Sequence, residues 1–161
     1  NKTVPKDKDF IEISRNIFDK VDAGEIKLQY ATNNPLELAN FFKDKVDFKV
    51  FVPDVKDADL VGGVYNEING QKLVHFVHKC RNDGNKLIYT MQGCMKNVMK
   101  NDQLILPDHH KVDIEKGQNW SACAPVNGDN IVVWYRDDVV CSSVSKIGPQ
   151  QIASVLTSFK K

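Results

Sequence analysis

Apolar residues recur along this chain in two periods, and the switches between them mark out its elements. Phe10, Ile13, Ile17 and Val21 fall three or four apart, which sets them on one face of a helix that stops near Gly24. From Glu25 to Thr32 the period becomes two. Ile26, Leu28 and Tyr30 alternate with Glu25, Lys27 and Gln29, as in a half-buried strand. Asn34-Pro35-Leu36-Glu37 then predicts a helix start, with Asn34 as cap, proline in the first turn and Glu37 closing a capping box. Its inner face would hold Leu38, Phe41, Phe42 and Val46. A strand is expected next, with Phe48, Val50 and Val52 alternating against Asp47, Lys49 and Phe51 until Pro53 ends it. Pro53 to Asp59 reads as a short acidic, solvated loop.

Leu60 to Gln92 holds three runs rich in β-branched and aromatic residues, parted by Asn69-Gly70 and Asp83-Gly84. Those dipeptides supply the positive φ angles of tight turns, so the stretch predicts a three-stranded antiparallel meander. Gly62-Gly63 inside it marks a bulge or a close backbone approach. The second strand places Val74, Phe76, His78 and Cys80 on one face and Leu73, His75, Val77 and Lys79 on the other. Apolar side chains on both faces make it a central strand. Between Gly93 and Gln118 the pattern weakens to an irregular excursion in which only Gln103 to Leu106 looks strand-like. A second meander follows over Asn119 to Pro125, Asn130 to Arg136 and Val139 to Ile147, joined by Asn127-Gly128-Asp129 and Arg136-Asp137-Asp138. Gly148-Pro149 opens a last helix with Ile152, Val155, Leu156 and Phe159 on one face, closed by Lys160 and Lys161. Together these predict a single α+β domain over residues 1–161. Its antiparallel sheet has about seven strands built from two meanders, with helices packed mainly on one face.

Composition narrows the function more than the fold. The 161 residues are 42% hydrophobic and 27% charged, enough for one core. Lys and Arg total 22 against 21 Asp and Glu, a net charge of +1, so no overall field draws the chain to nucleic acid or an anionic membrane. No apolar run approaches the roughly 20 residues of a membrane span, and Asn1 to Asp9 is polar, unlike a signal peptide. A start at Asn without Met reads as a mature or truncated piece of something longer.

Cys80, Cys94, Cys123 and Cys141 contain no Cys-x-x-Cys, so neither a zinc ribbon nor a thioredoxin-type motif is suggested. All four are disulfide candidates, and two disulfides or four buried thiols are both open. The strand registers set Cys80 opposite roughly Leu87 and Cys94 opposite roughly Leu73, which is not a direct pair. Cys123 and Cys141 both fall level with Trp134, two strand spacings apart, beyond the roughly 7 Å that a disulfide spans. No pairing is singled out.

His75, His78, His109 and His110, with the cysteines, are the available metal ligands. His78 and Cys80 share a strand face, but a buried histidine beside a small thiol in the core is the better-supported reading, and the adjacent His109-His110 pair suggests at most an adventitious site. No metal is assigned. Tyr65, Phe76, Tyr89 and Trp134 would line a pocket or fill the core, with the core favoured. The candidate ligand-binding set is His78, Cys80, Tyr65 and Trp134. There is no Gly-x-Ser-x-Gly elbow and no phosphate loop, so no catalytic residue and no cofactor are assigned. Asn1-Lys2-Thr3 and Asn119-Trp120-Ser121 match the glycosylation tripeptide at the level of chance.

The order of features resembles the extracytoplasmic domain of membrane-anchored anti-sigma-factor-like regulators. The residues that carry the likeness are Gly24-Glu25-Ile26, Asn34-Pro35-Leu36, Phe41-Phe42 and Phe48-Lys49-Val50-Phe51-Val52-Pro53-Asp54. They continue through Asp59-Leu60-Val61-Gly62-Gly63 and Asn69-Gly70-Gln71-Lys72, then Val133-Trp134 as far as Ser145-Lys146-Ile147. The likeness runs from about Phe10 to Phe159. Three features depart from it: Gly93 to Lys116 is longer than the family's link, the four cysteines are not part of its pattern, and the family's zinc module and membrane helix are not seen in this sequence. The resemblance implies a non-enzymatic periplasmic sensing domain tethered to the inner membrane. Its partners would be the membrane-anchored remainder of the same protein and a cytoplasmic regulator, with a small ligand and a homo-oligomer both open. The alternative is a free-standing periplasmic or secreted protein that binds metal or haem through His78 and its neighbours. An enzyme with a reactive cysteine is the third reading.

Overall fold

A computed structural model describes residues 4–55, 57–100 and 103–157. The chain runs through α1 (Phe10–Asp22), β1 (Tyr30–Ala31), α2 (Pro35–Phe42), β2 (Ala58–Ile68), β3 (Gln71–Cys80) and β4 (Lys86–Cys94). It continues with α3 (Met95–Lys100), α4 (Asp108–Glu115), β5 (Trp120–Ala122), β6 (Asn130–Arg136), β7 (Val139–Ser145) and α5 (Pro149–Thr157). The strands form one seven-stranded antiparallel sheet in the order β1-β2-β3-β4-β7-β6-β5. The two expected meanders are its halves, joined where β4 pairs with β7. Asn69-Gly70 turns β2 into β3 with both residues at positive φ, as the dipeptide predicts. The Asp83-Gly84 connection is wider than expected. A 3-10 turn over Arg81–Asp83 precedes Gly84 and Asn85, both left-handed.

Helices cover both faces of the sheet, not mainly one. On one side α1 and α3 pack Phe10, Phe18 and Val98 against Leu73, Val77, Tyr89, Met91, Val140 and Val144. On the other, α2 buries Leu38 and Phe42 against Val74 and Phe76, while α5 buries Ile152 and Leu156 against Ile88, Val132 and Trp134. Alternate residues of β3, β4 and β7 are apolar on both sides, and a sheet with two apolar faces must be covered twice.

Local departures from the sequence expectations have physical causes. In α1 the deepest residues are Phe10, Ile11, Ser14 and Phe18, whereas Ile13, Ile17 and Val21 flank the contact. The face is rotated because Ser14 can be buried: its hydroxyl meets that of Ser142 on β7 at 2.6 Å and donates to the Ile11 carbonyl at 2.7 Å. Asn34 caps α2 as predicted, but Glu37 does not close the box; it accepts from the Tyr30 hydroxyl at 2.5 Å. The strand expected from Glu25 shrinks to Tyr30–Ala31. Beyond it, the Gln29 side-chain amide bonds the N–H and C=O of Tyr65 at 2.9 and 3.2 Å, where a neighbouring backbone would.

Phe48 to Val52 forms no strand. It crosses the face of the sheet, with Phe48, Phe51 and Val52 in the apolar clusters under α2 and α5. Its alternation serves packing over the sheet rather than pairing within it. Val52 and Pro53 are buried, so the following loop is only partly solvated. Gly62 and Gly63 are a bulge and a close approach at once: the β2 register slips between Leu60 and Gly62, and a Cβ on Gly63 would lie 2.4 Å from the His75 carbonyl oxygen. The excursion after Gly93 contains α3, then buried Leu104 and Leu106, an Ile105 bridge to Asp9, and α4. In the last helix, Phe159, Lys160 and Lys161 lie outside the described residues, as does Asn1-Lys2-Thr3. Among the described residues no helix is long and apolar enough to cross a membrane.

Candidate functional site

Where the 51–55 segment passes the start of α2, it leaves an open groove of about 820 Å³. Asn33, Pro35 and Leu36 form one wall and Phe51, Val52 and Arg136 the other. Leu36 is 83% exposed at the mouth of this groove. The Arg136 guanidinium lies 4.5 Å from the Phe51 ring centroid, a cation held over an aromatic face. Asn33, Pro35 and Asp54 also line a second recess of about 180 Å³, so the two spaces adjoin. The recess runs inward to His78, with Pro53, Asp59, Leu60 and Arg81 around it. Arg81 and Asp59 pair at 3.2 Å near its rim.

His78 stands on β3 because the strand alternation that buries Val74 and Phe76 carries it to the same face. It is 1% exposed, and neither ring nitrogen has a hydrogen bond of normal geometry. Burial pushes its pKa down to about 4; the Pro53 carbonyl and the Asp54 carboxylate pull the other way and lose. His78 is thus a neutral imidazole that can offer one donor and one acceptor, each costly to leave unmade in a buried site. Its neighbour His75, on the opposite face, is fully satisfied. Tyr89 Oη sits 2.6 Å from its Nδ1 and Asn66 Oδ1 2.6 Å from its Nε2.

The remaining residues of the expected ligand set lie elsewhere. Cys80 is buried in the core under α5, and burial raises its thiol to about 11. Trp134 is also core, its Nε1 donating to Ser143 Oγ at 2.8 Å. It stands edge-on behind Phe51 with ring centroids 6.3 Å apart, one layer inside the groove. Tyr65 packs beside Phe41 and Lys45, away from both spaces. Of the four, His78 alone lines the recess. Arg136, Leu36 and Asn33 were not singled out from the sequence, because their meeting depends on a crossing segment that reads there as a strand.

All four cysteines are free thiols, so none of the disulfides left open by the sequence is formed. Cys80 stands opposite Lys86 and Cys141 opposite Trp134, whereas the Cys123 amide bonds the Ile131 carbonyl, three residues from the expected level. Among the described residues the Cys–His contact is Cys123 with His110, Sγ to Nε2 at 3.2 Å, and not Cys80 with His78. Among the described residues no three His, Cys, Asp or Glu side chains converge as a metal-binding group.

No protein-family model, no curated protein and no solved structure matches this chain.

Proposed function

We propose that this chain is a non-enzymatic sensing module that takes a small ligand in the groove between α2 and the 51–55 segment. The observation that carries the reading is His78, a buried imidazole that makes no well-formed hydrogen bond and has only the Pro53 carbonyl and the Asp54 carboxylate bearing on it, set in a polar recess that adjoins an open groove. Buried polar groups are nearly always satisfied, so an under-satisfied ring at a cavity wall is a place prepared for a partner. The groove's volume is that of small-molecule sites, and an exposed leucine with a stacked arginine supplies mixed apolar and polar contact. The thiols support a role without catalysis, since burial holds Cys80 near 11 and Cys123 near 12, far from a nucleophilic thiolate.

The sequence resemblance implies, as part of this reading, that such a module would work outside the cytoplasm, tethered through a membrane helix to a regulator. In that setting occupancy of the groove would be the signal. The free-standing binding protein uses the same groove and differs only in lacking the tether.

The test is a thermal-shift screen of small polar, anionic and aromatic metabolites, followed by titration of the hits against His78→Phe and Arg136→Ala. The expected result is that both substitutions weaken the hits at least about tenfold, a loss near 1.4 kcal/mol. Hits that bind both variants as tightly as the parent chain would overturn the reading. A tether is checked separately by sequencing the gene upstream of Asn1 for an apolar span of about 20 residues.

A further inference from the structure

The Cys123–His110 contact lies apart from the groove. Cys123 follows the last residue of β5, and His110 sits in the first turn of α4. His110 is 1% exposed and Cys123 half-buried. Sγ and Nε2 are 3.2 Å apart, and the other ring nitrogen, Nδ1, is buried without a hydrogen-bond partner. The thiol and Nε2 share one hydrogen bond, in which either the S–H or the Nε2–H donates according to the ring's tautomer. Asp9 and Glu12 bear on the thiol, and the His109 ring lies tilted at 42° against the His110 ring with centroids 3.9 Å apart.

We propose that Cys123 and His110 form a site for a thiophilic monovalent cation of the Cu⁺ or Ag⁺ class. One sulfur and one imidazole are a soft donor pair, and ions of this class accept two ligands where Zn²⁺ requires about four. Among the described residues no third donor converges on the pair, which selects against zinc while leaving a two-coordinate ion satisfied. With metal–sulfur and metal–nitrogen bonds of about 2.3 and 2.0 Å, a linear ion needs the donors about 4.3 Å apart. The present contact must open by about 1 Å. Cys123 stands just past the end of a three-residue edge strand with its N–H still bonded to the Ile131 carbonyl at 2.9 Å, so the opening falls to the Cys123 side chain rather than to its backbone. The exchange balances: the Cys123 S–H bond breaks, a sulfur–metal bond forms, one proton leaves to solvent, and the neutral Nε2 lone pair completes the pair without a change of oxidation state. The nearby Asp9 and Glu12 carboxylates favour a cation there over an anion.

The experiment is titration of the purified chain with Ag⁺, and with Cu⁺ under a competing chromogenic chelator. Variants C123A, H110Q and C94A are compared, the last because Cys94 is the other half-buried thiol. One equivalent is expected to bind the parent chain and C94A alike, with one proton released. C123A and H110Q should each lose at least about 100-fold in affinity, more than an outer-sphere partner is worth. The histidine variant separates a two-ligand site from a bare thiol. Unchanged Cu⁺ affinity in H110Q, or loss in C94A rather than C123A, overturns the proposal. Zn²⁺ binding as tight as Cu⁺ overturns the two-coordinate assignment. Circular dichroism of each variant shows that a loss of binding is not a loss of fold.

Discussion

The side-chain amide of Gln92 serves Phe51 as a strand would: Oε1 accepts from the Phe51 N–H at 2.9 Å and Nε2 donates to the Phe51 carbonyl at 2.7 Å. Nε2 also reaches the Cys141 sulfur at 3.3 Å. One buried glutamine on β4 thereby pins to the sheet face the segment that forms a wall of the groove. Gln92→Leu keeps the volume and removes every one of these bonds, leaving both Phe51 backbone groups to find water or stay unmade. The expected cost is about 2–3 kcal/mol in urea unfolding. Because Phe51 stands edge-on to Trp134, the variant should also shift the tryptophan emission before global unfolding. A cost under about 0.5 kcal/mol with unchanged emission would show that apolar packing alone holds the segment.

The same glutamine explains what the sequence could and could not show. Turn dipeptides and two-residue alternation act locally, so β2 to β4 and β5 to β7 were legible from residues such as Asn69-Gly70 and the Ile131 to Tyr135 run. Alternation in Phe48 to Val52 was equally plain, but period two says only that opposite sides of an extended segment differ. Whether the backbone finds a strand or a side-chain amide as its partner is decided 41 residues away, at Gln92. Gln29 replaces a strand beside Tyr65 in the same manner. His78 was legible as a strand-face histidine, and its solitude was not. The pairing of Cys123 with His110 depended on α4, whose weak periodicity gave no sign of a helix.

Gly63 sits where β2 passes beneath α2. A methyl group there would lie 2.4 Å from the His75 carbonyl oxygen and 2.8 Å from Phe42 Cζ. The first of these is backbone in the adjacent strand and cannot step aside. Gly63→Ala should therefore cost about 3 kcal/mol or more, well above an ordinary surface change. Gly70→Ala, with open space around its Cβ and only a left-handed φ of 79° to strain it, should cost about 1–2 kcal/mol. Equal losses at the two positions, by chemical denaturation, would remove the close approach as the reason for the glycine.

Acid should unfold this protein earlier than its carboxylates alone would require. Burial lowers His75 to about 3 and His78 and His110 to about 4, against about 6.5 in an unfolded chain. A depressed folded pKa means the unfolded state binds the proton first. The stability from these neutral rings is thus complete above pH 6.5 and lost progressively as pH falls toward 4. Each histidine contributes a slope of up to about 1.4 kcal/mol per pH unit, and the three together about 4. Asp9 and Asp19, held above the usual carboxylate range chiefly by burial, oppose this only near the acid end of the window. Urea titrations from pH 7 to 4.5 measure the slope, and a value below about 1.5 kcal/mol per unit would mean that the rings take up protons without unfolding.

Two carboxylates meet between α1 and the turn before β6, and their substitutions should act with opposite sign. Asp129 is 1% exposed, and the Lys146 ammonium lies against its Oδ1. Asp19 is half-exposed. Burial, a hydrogen bond with Asp129 and repulsion from it all raise its pKa, while Lys146 and Arg15 pull it down. A raised folded pKa means Asp19 favours folding when protonated, and that this contribution is lost as pH rises through the folded value. Asp19 also sits in the last turn of α1, where a negative charge opposes the helix dipole. Asp19→Asn removes that charge and offers Asp129 a donor. It should stabilise the protein at pH 7 by at most about 1 kcal/mol, since solvent screens a half-exposed group. The gain should fade as the pH falls and the native Asp19, whose pKa is raised, takes up its own proton. Asp129→Asn takes the anion from the buried side and leaves Lys146 without it, so it should destabilise at pH 7 by about 1–3 kcal/mol. Two destabilising results would show that Asp19 serves Arg15 and Lys146 more than it repels Asp129.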